Sequence, residues 1–279
     1  MKRVQGIFMG RIIIGFLLSC LAVVGQAQEQ DALRQILAGE HRSAAHRARD
    51  RYRHPLQTLD FFDVRENMTV VEIWPGSAGW YTEILAPLLK EHGRLYAAHF
   101  AADSNIPFFR RSLEKFTEKI HGRPDIYGKL ILTVLQPPER LAIAPPGSAD
   151  RVLTFRNVHN WMKAGQAGTV FRSMFRALKP GGLLGVVEHR NAPGKKQDPR
   201  ALSGYVSEDT VIALAKKAGF ELLDRSEINA NPADDRDHPE GVWTLPPTLR
   251  LGEKDRDRYL RIGESDRMTL KFIKPVVQD

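Results

Sequence analysis

Residues Thr69–Leu85, TVVEIWPGSAGWYTEIL, decide the fold. A β-branched apolar run, Thr69-Val70-Val71, meets the acid Glu72 and then a turn, Trp74-Pro75-Gly76-Ser77-Ala78-Gly79, before a helical pattern opens at Trp80. β-Branched side chains fit a pleated strand, Pro75 fixes φ, and Gly76 and Gly79 admit left-handed backbone. The spacing therefore predicts strand, tight turn and helix. A buried strand that turns sharply into a helix leaves free N–H groups and the positive helix end over one small space. In an open α/β sheet that space is a ligand crevice at the carboxyl ends of the strands.

Outward from this stretch the chain keeps alternating strand and helix, which calls for a parallel sheet covered on both faces. Strands are expected at Thr69–Ile73, Arg94–Phe100, Lys129–Leu135, Asp150–Phe155, Leu183–Glu188, Phe220–Ile228 and Arg267–Ile273. Helices are expected at Tyr81–Lys90, Pro107–Ile120, Val170–Leu178 and Glu208–Ala218, with Gly93 and Gly219 as stops. Pro180-Gly181-Gly182 reads as a turn into the fifth strand. The sixth and last strands are joined by a polar, proline-rich stretch, Asn229–Arg250, with no crossover helix in sight. That arrangement implies an antiparallel edge hairpin.

The 279 residues suffice for one large α/β domain, and an apolar fraction of 42% excludes a disordered chain. Lys2, Arg3 and Arg11 precede an apolar run, Ile12–Val24, that ends in Gly25-Gln26-Ala27. This is the order of a secretory signal peptide, and the run is short for a membrane span of about 20 residues. The expected organisation is a signal peptide over 1–27, a helical lead-in over 28–66 and the α/β domain over 67–279. The mature chain would be periplasmic, without stable membrane insertion. Cys20, the single cysteine, falls in the apolar run, so that mature chain has neither disulfide nor thiol ligand. Removing the three leader charges lowers the formal net charge from +8 to +5. Basicity of that size does not imply nucleic acid. The lead-in stretch HRSAAHRARDRYRH, 41–54, carries five arginines and three histidines, read as a solvated helix face or else a patch for a polyanion.

The acid-then-glycine pattern at Glu72 resembles the first motif of class I S-adenosylmethionine-dependent methyltransferases. Gly76 takes the middle glycine position, Trp74 and Ala78 stand where the other two usually are, and Gly79 is one residue late. Across nearly all of the mature chain, VEIWPG…GWYTEIL, NPADDRDHPEGVWTLPP and ESDRMTLKF resemble exported predicted methyltransferases of Gram-negative bacteria. The resemblance implies a Rossmann-like fold with a mostly parallel seven-stranded sheet, the last strand lying beside the fifth. It also implies S-adenosylmethionine as cofactor and a small-molecule substrate. By the same resemblance Glu72 would lie beside the methionine end of the cofactor, with Pro75, Gly76 and Gly79 shaping its approach. His99 would stand where an acid usually takes the ribose hydroxyls, Gln136 near the adenine and Asn157 beside the methyl donor. Read as bare residues, Glu72 can instead brace the turn, and His99 can bond a backbone carbonyl.

The fourth strand ends TFRNVHNW, placing His159, Asn160 and Trp161 at the carboxyl end of a central strand. A histidine there can take an acceptor proton, so His159, Asn160 and His189, the last after the fifth strand, are the catalytic candidates. Arg190 could serve an anionic group. The acids and His238 of Asp234–Glu240 are metal-ligand types, but their spacing matches no EF-hand or zinc motif, and no metal is expected. Two functions remain open: a methyltransferase, or an exported non-catalytic or repurposed domain of that fold holding another ligand. The second is kept because S-adenosylmethionine is made in the cytosol.

Overall fold

The structure, a computed structural model, describes residues 30–276. The expected signal peptide and Cys20 lie outside the described residues. Four short helices lead in: α1 (30–38), α2 (Ala44–Arg47), α3 (Asp50–Arg53) and α4 (Pro55–Phe61). Then come β1 (Thr69–Ile73), α5 (Thr82–Leu89), β2 (Arg94–His99), α6 (Pro107–Gly122), α7 (Pro124–Tyr127), β3 (Ile131–Val134) and β4 (Ala149–Phe155). The chain ends with α8 (Val158–Lys163), α9 (Ala167–Ala177), β5 (Leu178–His189), α10 (Glu208–Lys217), β6 (Glu221–Ser226), α11 (Arg256–Ile262) and β7 (Arg267–Ile273).

The strands form one seven-stranded sheet in the order β3-β2-β1-β4-β5-β7-β6. Strands β1 to β5 pair in parallel, and β7 is antiparallel to both β5 and β6. The last strand therefore lies between the fifth and sixth. Because β1 pairs with β2 on one side and β4 on the other, the crossovers leave β1 in opposite directions. The crevice this opens lies at the carboxyl ends of β1 and β4.

Alternation along the strands builds two cores. Val71, Ile73, Val152 and Leu184 face α9 and α10, whereas Val70, Leu95, Leu153 and Val187 face α5 and α6. Each such side chain, fully buried, is worth about 1.5–3 kcal/mol. The lead-in joins the second core through Leu33, Leu59, Phe62 and Val64. Gly185 in the middle of β5 shows how closely: a Cβ there would come within 2.8 Å of the Phe62 ring.

Three local expectations are corrected. Pro180-Gly181-Gly182 belongs to β5, because Gly181 N–H donates to Lys274 O and Lys274 N–H to Gly182 O, which extends the ladder with β7. Helix α11 lies between β6 and β7, yet it buries only Tyr259, so no apolar period announces it in the sequence. The five arginines of 41–54 do not share one solvated face: only Arg51 is exposed. Arg42 and Arg53 are buried and flank the Trp80 ring at 5.1 and 4.6 Å, and Arg42 forks onto Asp50. Among the described residues no helix is long and apolar enough to cross a membrane.

Candidate active site

The turn after β1 works through three left-handed residues: Trp74 (φ 46°), Gly76 (71°) and Gly79 (55°). A Cβ on Gly79 would lie 2.8 Å from the Phe116 ring, so this glycine is needed for packing. A Cβ on Gly76 would meet nothing within 4 Å, because Gly76 faces a cleft of about 1040 Å³. Trp74 replaces a glycine without closing the turn. Its indole N–H donates to Leu135 O at 2.8 Å, and its ring packs on Phe100, Phe109 and Trp161. The result is an aromatic wall over the β1–β2–β3 half of the cleft.

Of the residues predicted from sequence, Gly76, Gln136, Asn157, His159, Asn160 and His189 line this cleft. Glu72, Pro75, Gly79 and His99 are not among its lining residues. Glu72 is buried and accepts the Thr82 hydroxyl at 2.6 Å, and burial pushes its carboxyl up to about 7. His99 is fully buried. Its Nδ1 accepts the Phe100 N–H at 2.8 Å, which leaves the proton on Nε2 toward Gly76 O at 3.4 Å, and burial pushes the ring down to about 4. Both groups brace the turn from behind.

Glu72 therefore has a pH signature. Its folded pKa is raised, so between about 4.5 and 7 the unfolded chain releases this proton first and stability falls as pH rises. Glu72→Gln keeps an acceptor for Thr82 and removes that loss. The variant is expected to gain up to ~3 kcal/mol on the parent above pH 7, and little at pH 4. Urea unfolding at both pH values measures the difference; equal gains at both would refute the buried-acid account.

Within the cleft His159 is paired with Glu188. Glu188 ends β5, is fully buried, and accepts the backbone N–H of His189 at 2.8 Å and of His159 at 3.3 Å. With both carboxylate oxygens receiving main-chain donors, the 3.0 Å contact to His159 Nδ1 has the ring donating. The tautomer is thereby fixed, and Nε2 carries a lone pair with no hydrogen-bond partner among the described residues. His189 lies 5.3 Å from the His159 ring, bonds Ser265 Oγ through Nδ1, and is held neutral by burial and by His159 and nearby arginines. Trp243, from the loop after β6, packs edge-on against His159 and roofs the site.

Sequence reasoning missed the other feature of the cleft. Arg49, Arg53, Arg156 and Arg267 all line it, together with one carboxylate, Glu264. Glu264 pairs with Arg49 at 2.5 Å, with Arg53 at 3.3 Å and with Arg267. These residues come from three segments, each more than 100 positions from the next, so no local spacing could announce them. Arg190, the arginine expected to face a substrate anion, is instead bound to Asp266, Glu227 and Glu208. The acid-rich loop is likewise structural. Asp234 accepts Tyr205 OH, His238 Nε2 and the Asp266 N–H, which pins the roof to the start of β7. Two groups of metal-ligand type occur among the described residues, His159–Glu188–His189 and Asp234–Asp235–His238, and in each one histidine, His159 or His238, is hydrogen-bonded to an acid of the group.

No family model and no curated protein matches the chain. Solved structures do. A methyltransferase from Aquifex aeolicus, described as dependent on S-adenosylmethionine, is 19% identical over 65% of this chain and 87% of its own, with a TM-score of 0.50. The [4+2]-cyclase SpnF is 14% identical over 91% and 96%, at 0.55. Phosphoethanolamine N-methyltransferase 2 from Haemonchus contortus, solved with S-adenosyl-L-methionine, is 16% identical over 81% and 53%, at 0.52. The fold is that of the class I methyltransferases. At these identities the likeness concerns the fold alone, and within the methyltransferase fold a cyclase already stands beside two methyltransferases.

Proposed function

We propose that this chain transfers a methyl group from S-adenosylmethionine to a small-molecule acceptor, with His159 as the base. The observation that carries the reading is one cleft, at the carboxyl ends of β1 and β4, lined by both the open Gly76 turn and His159. The residues present suit the cofactor. Gly76 leaves room for close approach, and Trp74 and Phe100 offer aromatic faces to a purine. Gln136 Nε2 and Asn157 Oδ1 have no protein partner among the described residues. Their other amide atoms are fixed on Ala101 N–H and Ile73 O.

A bound sulfonium donor would supply an electrophilic methyl carbon. The chain's own contribution is to position the acceptor, exclude water beneath Trp243 and remove the acceptor's proton at His159 Nε2. Glu188 then faces an imidazolium and stabilises it.

Calorimetric titration with S-adenosylmethionine and S-adenosylhomocysteine tests the proposal. One of them is expected to bind with a micromolar Kd, about −8 kcal/mol. Gly76→Leu is expected to abolish that heat, since its side chain would occupy the approach path. Absence of heat at millimolar cofactor would favour the second reading, a repurposed fold. What supports that alternative is specific: Glu72 and His99 are turned inward, and Trp74 occupies a glycine position.

A further inference from the structure

The cleft is electrostatically unbalanced. Four of the cleft's arginines, Arg49, Arg53, Arg156 and Arg267, stand about one lining carboxylate, Glu264, which pairs with only three of them, Arg49, Arg53 and Arg267. Arg156 makes no side-chain hydrogen bond or ion pair among the described residues. It is also held at φ 62°, a conformation disfavoured for a residue with a Cβ. Arg53 and Arg267 are 3% and 2% exposed, and Arg53 Nη1 and Arg267 Nε are buried without a partner. Cations gathered in this way repel one another and have lost most of their hydration. A fold gains nothing from such an excess unless a ligand completes it.

We infer that Arg53, Arg156 and Arg267 form the receptor for a carboxylate or phosphate group on the small molecule that this enzyme modifies. The inference rests on the proposed function and adds the substrate class to it. Guanidinium is the suitable cation because its planar fork meets two oxygens of either oxyanion at once. Position argues for the acceptor as the source of the anion, and against the cofactor. Arg156 follows β4 and Arg267 opens β7, whereas Gly76, Trp74 and Gln136 lie over β1 to β3. Burial and His159 do most to lower the His189 pKa, and Arg267, Arg156 and Arg53 lie near enough to add to it, which places the anion beside His159 and His189.

The test uses the chain itself with inorganic phosphate as the probe. Thermal melts of the parent are expected to rise by about 2–4 °C in excess phosphate over equal ionic strength of chloride. Arg156→Gln is expected to melt no lower than the parent without phosphate and to lose the phosphate shift. Arg156→Lys, which keeps the charge without the fork, should retain part of it. Arg51→Gln, an exposed arginine of the same lead-in, should leave the shift whole. A drop in the melting temperature of both Arg156 variants with the phosphate shift intact would make Arg156 structural and overturn the inference. So would an Arg156→Gln variant that binds S-adenosylhomocysteine at least tenfold more weakly but 5′-methylthioadenosine equally well, since the anion would then be the cofactor's own carboxylate. Phosphate binding is read without cofactor, so a chain that binds phosphate but no S-adenosylmethionine refutes the methyl-transfer reading and leaves the anion site standing.

Discussion

His159→Ala is expected to lower turnover by about 10²–10⁴-fold while leaving the Kd for S-adenosylhomocysteine within about threefold. The size follows from what the ring does. Nδ1 is committed to Glu188, a fully buried carboxylate already receiving two main-chain N–H groups. Nε2 is left unpaired among the described residues, free to accept a proton in a cleft roofed by Trp243. His159→Gln separates position from basicity, since an amide can occupy the same space but takes no proton at neutral pH. Glu188→Gln should cost less turnover than His159→Ala, because it disturbs the tautomer while leaving the base in place. Single-turnover rates across pH measure these effects. Full turnover in His159→Gln would remove the base and leave the histidine as a wall of the pocket.

The second large effect is on stability. Glu264→Gln is expected to destabilise the chain by about 3–5 kcal/mol, because it strips the single carboxylate from three buried or half-buried guanidinium groups. Burial opposes ionisation of Glu264, but Arg267, Arg53 and Arg49 outweigh it and hold the carboxyl well below the usual range. A depressed folded pKa means that this stabilisation is present above about pH 4.5 and is lost as pH falls toward the folded value. The parent should therefore lose stability below pH 4.5 more steeply than the variant. Urea midpoints from pH 3 to pH 8 give both quantities. A variant as stable as the parent at pH 7 would show that the arginine cluster does not depend on Glu264.

The distance between motif and site was set by side-chain direction. Glu72, Gly76 and Gly79 are near neighbours in one motif, yet only Gly76 faces the cleft. The strand pleat and the turn send Glu72 toward Thr82 and pack Gly79 against Phe116. Backbone position is a local matter of turn chemistry. Side-chain orientation is settled by whichever neighbour can satisfy a buried polar group. His99 follows the same rule: at a sheet position suited to ribose, it is caged by the Phe100 N–H and Gly76 O. His159 and His189 could be placed in the cleft from sequence because His189 ends β5 and His159 lies four residues past β4, both at the carboxyl ends of central strands.

The sequence by itself determined the order of the elements, the approximate strand positions, the β1 turn, the parallel sense of the first five strands and the antiparallel closure by the last. These rest on period, proline and glycine, which act within a few residues. Only the tertiary structure decided that a lead-in rich in arginine folds back over the sheet. It carries Arg49 and Arg53 to a carboxylate and an arginine more than 200 residues away. Charge at a site is a sum over space, and spatial neighbours joined by no local period leave no trace in the order of residues.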